Sequence, residues 1–340
     1  RMEKYSKWRD EKTSIHPFFA QKPKTARFVL SRFILGPLLF LVRLPLLIAV
    51  FLVYFIVAQV LELLPLPGAL MRLPLRLVHM VGARLLLLIM GFWWVESRHS
   101  RSSRRVVLPT VTPGSHCSSG DLIVANLQGY AEVLYLAYRF APVFTTVPID
   151  GEGLVIKRSV FGALSDALHL ERTYSKDDSR CRTATELLKK AEAGSRGPVV
   201  VFPEGTSSNG RGLLANSRAL KGVEVRAERT HVVGFKYEWV THSPAYTVGS
   251  AFASVYGVCS QVSNALTVRF LVPSEVPSHP SLDANRVGPA AGEGEWDEQV
   301  FQTLANALRM KRTALGMREK QEFLAYWRES HQKTYTKKHS

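Results

Sequence analysis

The apolar segment spanning 28–95 constrains the fold of this chain more than any other feature. Residues 44–61 carry no charge, and these eighteen residues would form a helix about 27 Å long, close to the ~30 Å hydrocarbon core of a bilayer. A second uncharged run, 85–95, is long enough for about half of that thickness. We predict two apolar helices separated by a turn at 65–68.

The charges around this segment predict its orientation in a membrane. Basic residues lie on both outer flanks, up to Arg32 and again at 98–105, whereas the connecting turn is almost uncharged. Because positive flanks stay in the cytosol, both ends are expected on that side. Residues 28–96 are predicted to form a spanning or re-entrant membrane hairpin, with Trp93 and Trp94 at the interface. A buried helical pair in a soluble protein is the alternative.

The overall charge predicts an anionic partner. The chain has 44 Lys and Arg against 28 Asp and Glu, a net charge of +16. No nucleic acid is expected, because no basic stretch is interleaved with aromatic residues. A phospholipid surface or a phosphorylated substrate fits better. The three cysteines, Cys117, Cys181 and Cys259, follow neither a disulfide nor a zinc pattern, so we predict no metal and a cytosolic domain.

Beyond the apolar segment, strands alternate with amphipathic helices, which predicts an α/β domain with a mixed, largely parallel sheet flanked by helices. Strands are expected at 105–108, 121–125, 143–147, 199–202, 231–236 and 266–272. Helices are expected at 131–140, 157–168, 182–193, 297–309 and 319–329. The predicted organisation is a basic cytosolic head, a membrane anchor, an α/β domain, and a C-terminal loop with helices and a basic tail: 1–27, 28–96, 104–272 and 273–340.

The strand at 199–202 ends in a polar turn that we predict to be the substrate site. Ligands of open α/β sheets usually bind where strands end. The glycines would let the backbone approach a bound group, the hydroxyls would donate hydrogen bonds, and the cation would hold a phosphate. An ordinary surface turn is the alternative. The predicted substrate-binding residues are Phe202, Pro203, Glu204, Gly205, Thr206, Ser207, Asn209 and Arg211.

The block Phe202-Pro203-Glu204-Gly205-Thr206 resembles the Phe-Pro-Glu-Gly-Thr block of the glycerolipid acyltransferases, and the Ser-Ser-Asn-Gly that follows is similar to their lysophospholipid acyltransferase branch. Residues 2–18 resemble the start of a fungal branch that acylates lysophosphatidic acid from oleoyl-CoA. The resemblance implies acyl transfer from acyl-CoA to a lysophospholipid, most simply lysophosphatidic acid, in glycerolipid synthesis. It implies acyl-CoA as co-substrate and no bound cofactor.

This chain departs from the family pattern at the position of the catalytic base. The family uses the His of a His-x4-Asp motif at a helix start, where this chain has Leu127 and, five residues later, Glu132. Glu132 could act as the base if burial raised its pKa. His116 begins a literal His-x4-Asp, but ahead of the strand rather than after it. His169 and His231 are further alternatives.

Two further assignments follow from the resemblance. Residues 169–172 loosely match a second family block, which makes Arg172 a candidate phosphate ligand. Lys337-Lys338 near the C-terminus resembles a dilysine retrieval signal, so we expect the endoplasmic reticulum membrane or lipid droplets, although a frayed basic tail explains it equally. Because Leu127 cannot move a proton, the rival function is a catalytically impaired lipid-binding or trafficking factor. A membrane-organising protein is a third option.

Overall fold

The computed structural model describes residues 3–21, 34–64, 68–100, 117–171, 173–239, 241–279, 281–282 and 295–339. Its helices are α1 (Gly36–Leu63), α2 (Gly68–Ile89), α3 (Ala131–Phe140), α4 (Val160–Leu168), α5 (Ala184–Ala193), α6 (Ala251–Cys259), α7 (Trp296–Leu308) and α8 (Met317–His339). Its strands are β1 (Val95–Ser100), β2 (Leu122–Ala125), β3 (Val143–Thr146), β4 (Leu154–Arg158), β5 (Cys181–Thr183), β6 (Val199–Val201), β7 (Gly212–Leu213), β8 (Thr230–Glu238), β9 (Ala265–Leu271) and β10 (Lys311–Arg312).

A mixed sheet in the order β1-β9-β8-β2-β6-β3-β4-β5 forms the centre of the fold. The four central strands, β8, β2, β6 and β3, are mutually parallel, and antiparallel pairings occur toward both edges. Strands β2 and β6 are buried throughout, as expected for parallel strands covered by helices on both faces. The predicted α/β class with a largely parallel central sheet is confirmed.

The local patterns located most elements but not all of their ends. Helix α3 occupies its predicted range, while the helix predicted at 157–168 begins only at Val160. Ser159 sets that start, because its Oγ accepts a hydrogen bond from the Gly162 N–H, and residues 157–158 belong to β4. Helix α6 was not predicted, nor were the strands β1, β4, β5, β7 and β10. The strand expected at 105–108 lies outside the described residues.

Helix α1 is longer than the sequence predicts. It begins with Pro37 in its first turn, continues through the exposed Pro45 and ends at Leu63. Among the described helices, α1 alone is long and apolar enough to cross a membrane, so the predicted hairpin of two membrane helices is not shown. Helix α2 packs against α1, and the Tyr54 hydroxyl lies 2.8 Å from Nδ1 of His79.

One face of α1 is shielded over most of its length, mainly by α2 and in part by α6 and α4 of the α/β domain. The shielded positions recur every three or four residues, as on one face of a helix: Gly36, Phe40, Arg43, Leu47, Val50, Tyr54 and Ala58. Phe40 contacts Tyr256 of α6 with ring centroids 4.8 Å apart, and Tyr54 contacts Phe161 of α4 at the same distance. The opposite face is apolar and exposed. Helix α1 therefore packs on α2 and also contacts the α/β domain through Phe40 and Tyr54.

Arg43, the one cation inside the apolar part of α1, binds the end of α6. Its guanidinium donates hydrogen bonds to the carbonyls of Cys259 at 2.9 Å and Val262 at 3.0 Å, and also to that of Gln261. The carbonyls at a helix C-terminus carry partial negative charge, so a cation is favourable there. This contact fixes the first half of α1 to the domain.

Arg43→Met is expected to lower the free energy of unfolding by about 2 kcal/mol or more, because hydrogen bonds from a charged donor contribute roughly 1.5–3 kcal/mol. Urea unfolding of the detergent-solubilised protein measures this loss, and amide exchange at the end of α6 should accelerate. Val42→Met is the matched control, because Val42 lies on the same helix and is 56% exposed. Equal losses in the two variants would contradict the assigned role of Arg43.

Candidate functional site

The polar turn after β6 is buried, and Glu204 connects it to the segment after β2. Glu204 is fully buried, and its carboxylate accepts hydrogen bonds from the backbone N–H of Leu127 at 3.0 Å and of Leu214 at 2.8 Å. Strands β2 and β6 are parallel neighbours, so both segments leave the same edge of the sheet. The structure thus brings together the two segments that sequence analysis singled out.

Helix α8 closes this turn with a buried cation. The Lys320 ammonium donates hydrogen bonds to the backbone carbonyl of Ser207 at 2.7 Å and to its hydroxyl at 2.8 Å. The hydroxyl of Ser207 in turn donates to the Tyr246 carbonyl at 2.6 Å. Burial lowers the pKa of Lys320 to about 7, and the nearby Glu204 opposes that shift. Burial likewise raises the pKa of Glu204 to about 7.

The N-terminal segment, residues 3–21, covers the other side of the turn. The Asn209 side-chain amide donates to the carbonyls of His16 and Phe19, both at 2.8 Å, and its backbone N–H donates to the Pro17 carbonyl at 2.9 Å. The same segment packs its aromatic side chains against α8: Tyr5, Trp8 and Phe18 are buried together with Phe323 and Leu324. Asn209 therefore docks the N-terminal segment.

The turn itself requires glycine at position 205. Gly205 has a φ of +63°, in the left-handed region, and a Cβ there would overlap the sulfur of Met317. Phe202 and Pro203 lie at the strand end, where their carbonyls accept hydrogen bonds from the N–H of Gly205 at 2.9 Å and of Ser217 at 2.8 Å. The backbone of the turn is thereby fixed.

Glu132 lies at the start of α3 and is enclosed by donors. Its carboxylate accepts hydrogen bonds from the N–H of Gln128 and Gly129, each at 3.1 Å, and from the Tyr237 hydroxyl at 2.7 Å. Burial raises its pKa to about 7 even though all three donors lower it. Glu132 therefore satisfies the free N–H groups at the helix start and holds β8 against it.

A small cavity of about 50 Å³ lies beside Leu127. Thr206, Ser207 and His169 also line it, whereas Glu132 does not. His169 is exposed, and its Nδ1 lies 2.8 Å from the Ser165 carbonyl, which leaves Nε2 for another partner. Asp166 lines the cavity as well, but its carboxylate binds Arg158 at 2.8 Å and the Tyr174 hydroxyl at 2.9 Å. Among the described residues, His169 is thus the one imidazole that lines this cavity.

The remaining predicted residues fall elsewhere. Arg211 is exposed next to Asn209, whose side-chain oxygen accepts its backbone N–H at 3.1 Å. His116 and Arg172 lie outside the described residues. His231 binds Asp121 at 3.2 Å near the start of β8, at the opposite end of the strand from the turn. Sequence reasoning missed Lys320, because nothing in a basic amphipathic helix distinguishes a buried lysine from the exposed ones.

Comparison with known proteins supports a relationship to lysophospholipid acyltransferases. The chain is 27% identical over 228 residues to the lysophospholipid acyltransferase LPEAT1 of Arabidopsis thaliana, an alignment that covers 60% of this chain and 55% of that protein. The chain thus spans about half the length of the curated relative it matches. No family model matches the chain, and no solved structure is significantly similar to it. The resemblance to a fungal branch is not shown.

Glu132→Gln is expected to remove part of the pH dependence of stability. The folded pKa, about 7, exceeds the ordinary value of 4.5, so the folded protein holds this proton more tightly than the unfolded chain. Its contribution, on the order of 3 kcal/mol, is present below pH ~4.5 and lost as the pH rises toward 7. Urea unfolding across this range should therefore show a flatter profile for the variant than for the wild type.

Glu329→Gln is the control for that experiment, because Glu329 is an exposed carboxylate on α8. Its profile should follow that of the wild type. Glu204 titrates in the same direction in all three proteins, and the charge of Glu132 contributes to the raised Glu204 pKa, so the difference between profiles reports Glu132 together with its effect on Glu204. Parallel profiles for the wild type and Glu132→Gln would show that the Glu132 carboxylate is ionised throughout this range.

Proposed function

We propose that this protein transfers a fatty acyl group from acyl-CoA to a lysophospholipid at a membrane surface, with lysophosphatidic acid as the preferred acceptor. The observation that carries the proposal is the hydrogen bond between Glu204 and the Leu127 N–H, which joins the two motif segments at one cavity. The relative is named a lysophospholipid acyltransferase, which supports the reaction class. The choice of lysophosphatidic acid as the acceptor and of acyl-CoA as the donor goes beyond the name of that relative and is part of our proposal.

Acyl transfer requires a base near the acceptor hydroxyl. The hydroxyl oxygen attacks the thioester carbonyl carbon, the carbon–sulfur bond breaks, and CoA leaves as a thiolate that takes up a proton. Leu127 cannot accept the hydroxyl proton. We assign this role to Nε2 of His169, because this ring lines the same cavity as Leu127 and Thr206. Glu132 is the alternative base and would have to release its three donors first.

One set of observations favours a second candidate function. The carboxylates of Glu204 and Glu132 are both occupied by protein donors, and the cavity of about 50 Å³ is far smaller than an ordinary ligand site of roughly 300–1,000 Å³. A catalytically impaired lipid-binding or trafficking protein would show these features. In that case Leu127 stands where the catalytic base has been lost, and Leu127→His would restore a base at this position.

We also propose that the protein lies on one leaflet, at the endoplasmic reticulum or on lipid droplets, with its α/β domain in the cytosol. The contacts of Phe40 with α6 and of Tyr54 with Phe161 hold about 21 Å of α1 alongside the domain. A helix crossing the ~30 Å hydrocarbon core would carry that domain with it. The exposed apolar face of α1 therefore lies in the plane of the leaflet.

His169→Gln is expected to lower kcat/KM for lysophosphatidic acid acylation by about 100-fold or more, the usual contribution of a general base. Purified protein in detergent with radiolabelled oleoyl-CoA gives the rate. His331→Gln is the matched control, because its Nδ1 also lies 2.8 Å from the carbonyl four residues earlier, but His331 does not line the cavity. Glu132→Gln and His116→Ala, assayed together with these variants, test the other two bases.

The outcomes separate the two candidate functions. A loss of acyltransferase activity in His169→Gln alone supports His169 as the base. A loss of activity only in His116→Ala, or only in Glu132→Gln, assigns the base to that residue instead. An inactive wild type that still binds lysophosphatidic acid supports the non-catalytic function. A gain of activity in Leu127→His would confirm that only the base is missing.

Spin labels along α1 test the placement of the helix in the leaflet. Leu41, Val53 and Val60 are exposed on α1 and are replaced by cysteine in a background without the three native cysteines. Accessibility to oxygen and to a polar nickel complex should give similar depths at all three positions. Depths that pass from one interface through the bilayer centre to the other would show that α1 spans the membrane.

A further inference from the structure

A second, larger cavity lies at the opposite end of the sheet from the polar turn. Its volume is about 460 Å³, and its lining includes residues directly before β3 and β6, whereas the turn follows β6. The ends of α1 and α3, the first half of α2 and the end of β4 complete its wall. No lining residue is shared with the cavity beside Leu127. Nothing proposed above uses this cavity.

Its wall carries a large excess of positive charge. Among the described lining residues, Glu62 is the one carboxylate, against five cations: Arg72, Arg76, Lys157, Arg158 and Arg196. Arg158 is paired with Asp166. Within the described part of the chain, no carboxylate forms an ion pair with any of the other four. Four guanidinium and ammonium groups therefore face one cavity in which Glu62 is the one described carboxylate.

The cations affect one another. Lys157 lines the cavity, and burial lowers its pKa, with Arg196 lowering it further and Glu62 opposing the shift. Glu62 offsets part of the positive charge, and the remaining cations repel one another unless a further anion binds among them. The N-terminus of α4 adds to the field, because Ser159 and Val160 also line the cavity. The wall is suited to a phosphate group.

The position of the cavity indicates the source of that phosphate. It opens where α1 ends and α2 begins, beside apolar side chains that face outward. Leu63 is 82% exposed, Leu70 64% and Leu73 66%. Basic residues at the edge of an apolar membrane-facing surface meet the head groups of anionic phospholipids, each cation contributing about 1 kcal/mol near the surface. A soluble phosphate compound would not need exposed apolar side chains beside its binding site.

We propose that this cavity binds the phosphate group of an anionic phospholipid, as a site separate from the turn around Glu204. Arginine forks hold the phosphate oxygens in pairs, and the acyl chains lie against the exposed face of α1 and α2. The site sets how the protein is oriented on the leaflet. It depends on membrane association and is independent of acyl transfer, so an inactive protein would retain it.

The test compares binding of the full chain to phosphatidylcholine vesicles with and without phosphatidic acid. Wild type should prefer the anionic vesicles. The double variant Arg76→Gln/Arg196→Gln should bind them about tenfold or more weakly, with binding to neutral vesicles unchanged. Arg226→Gln/Lys311→Gln is the control, because it removes the same charge from two exposed residues that do not line the cavity. An equal loss in both doubles would indicate diffuse attraction and overturn the proposal.

Two further measurements complete the test. Amide exchange of the wild type at 157–163 and 194–198 should slow with vesicles that contain phosphatidic acid and not with neutral vesicles. This measurement uses the wild type alone, so it does not depend on whether a variant folds. Inorganic phosphate and glycerol 3-phosphate, added without lipid, should not reproduce this protection. If they do so at comparable concentrations, the site takes a soluble phosphate and the lipid assignment is wrong. Absence of protection under all conditions overturns the site itself.

Discussion

The buried carboxylate of Glu204 is the interaction on which the site depends. An ionisable group without water is stable only when donors surround it, and here the N–H groups of Leu127 and Leu214 provide two. Those donors lie on segments that follow different strands, so one side chain fixes the end of β2 relative to the turn after β6. The parallel pairing of these strands makes that contact possible.

Helix α8 and the N-terminal segment depend on the same turn. Lys320 binds the turn from one side, Asn209 of the turn holds the N-terminal segment on the other, and the aromatic side chains of both outer segments pack on one another around Phe323. The N-terminal segment and α8 therefore help to build the site, although neither belongs to the sheet. This arrangement also explains why the turn is enclosed and its remaining cavity small, which bears on both candidate functions.

The two ends of the sheet differ in what they present. The carboxyl ends of the strands carry the enclosed polar turn, while the amino ends of β3 and β6 meet a basic cavity beside α1 and α2. Helix α1 contacts α6 and α4 of this domain, and its opposite face is apolar and exposed. A membrane-bound protein of this shape would meet lipid at two chemically different places.

The sequence by itself determined the α/β class, the range of α3, the apolar helix and the turn 202–211, since each is encoded by neighbouring residues whose pattern reports burial. Only the tertiary structure decided the partners: Lys320 lies 113 positions from Ser207, and Asn209 lies 193 from His16. Helix α1 continued through Pro45 because packing along the domain outweighs local propensity. Which charge is buried, and against what, depends on contacts between distant segments that no local pattern records.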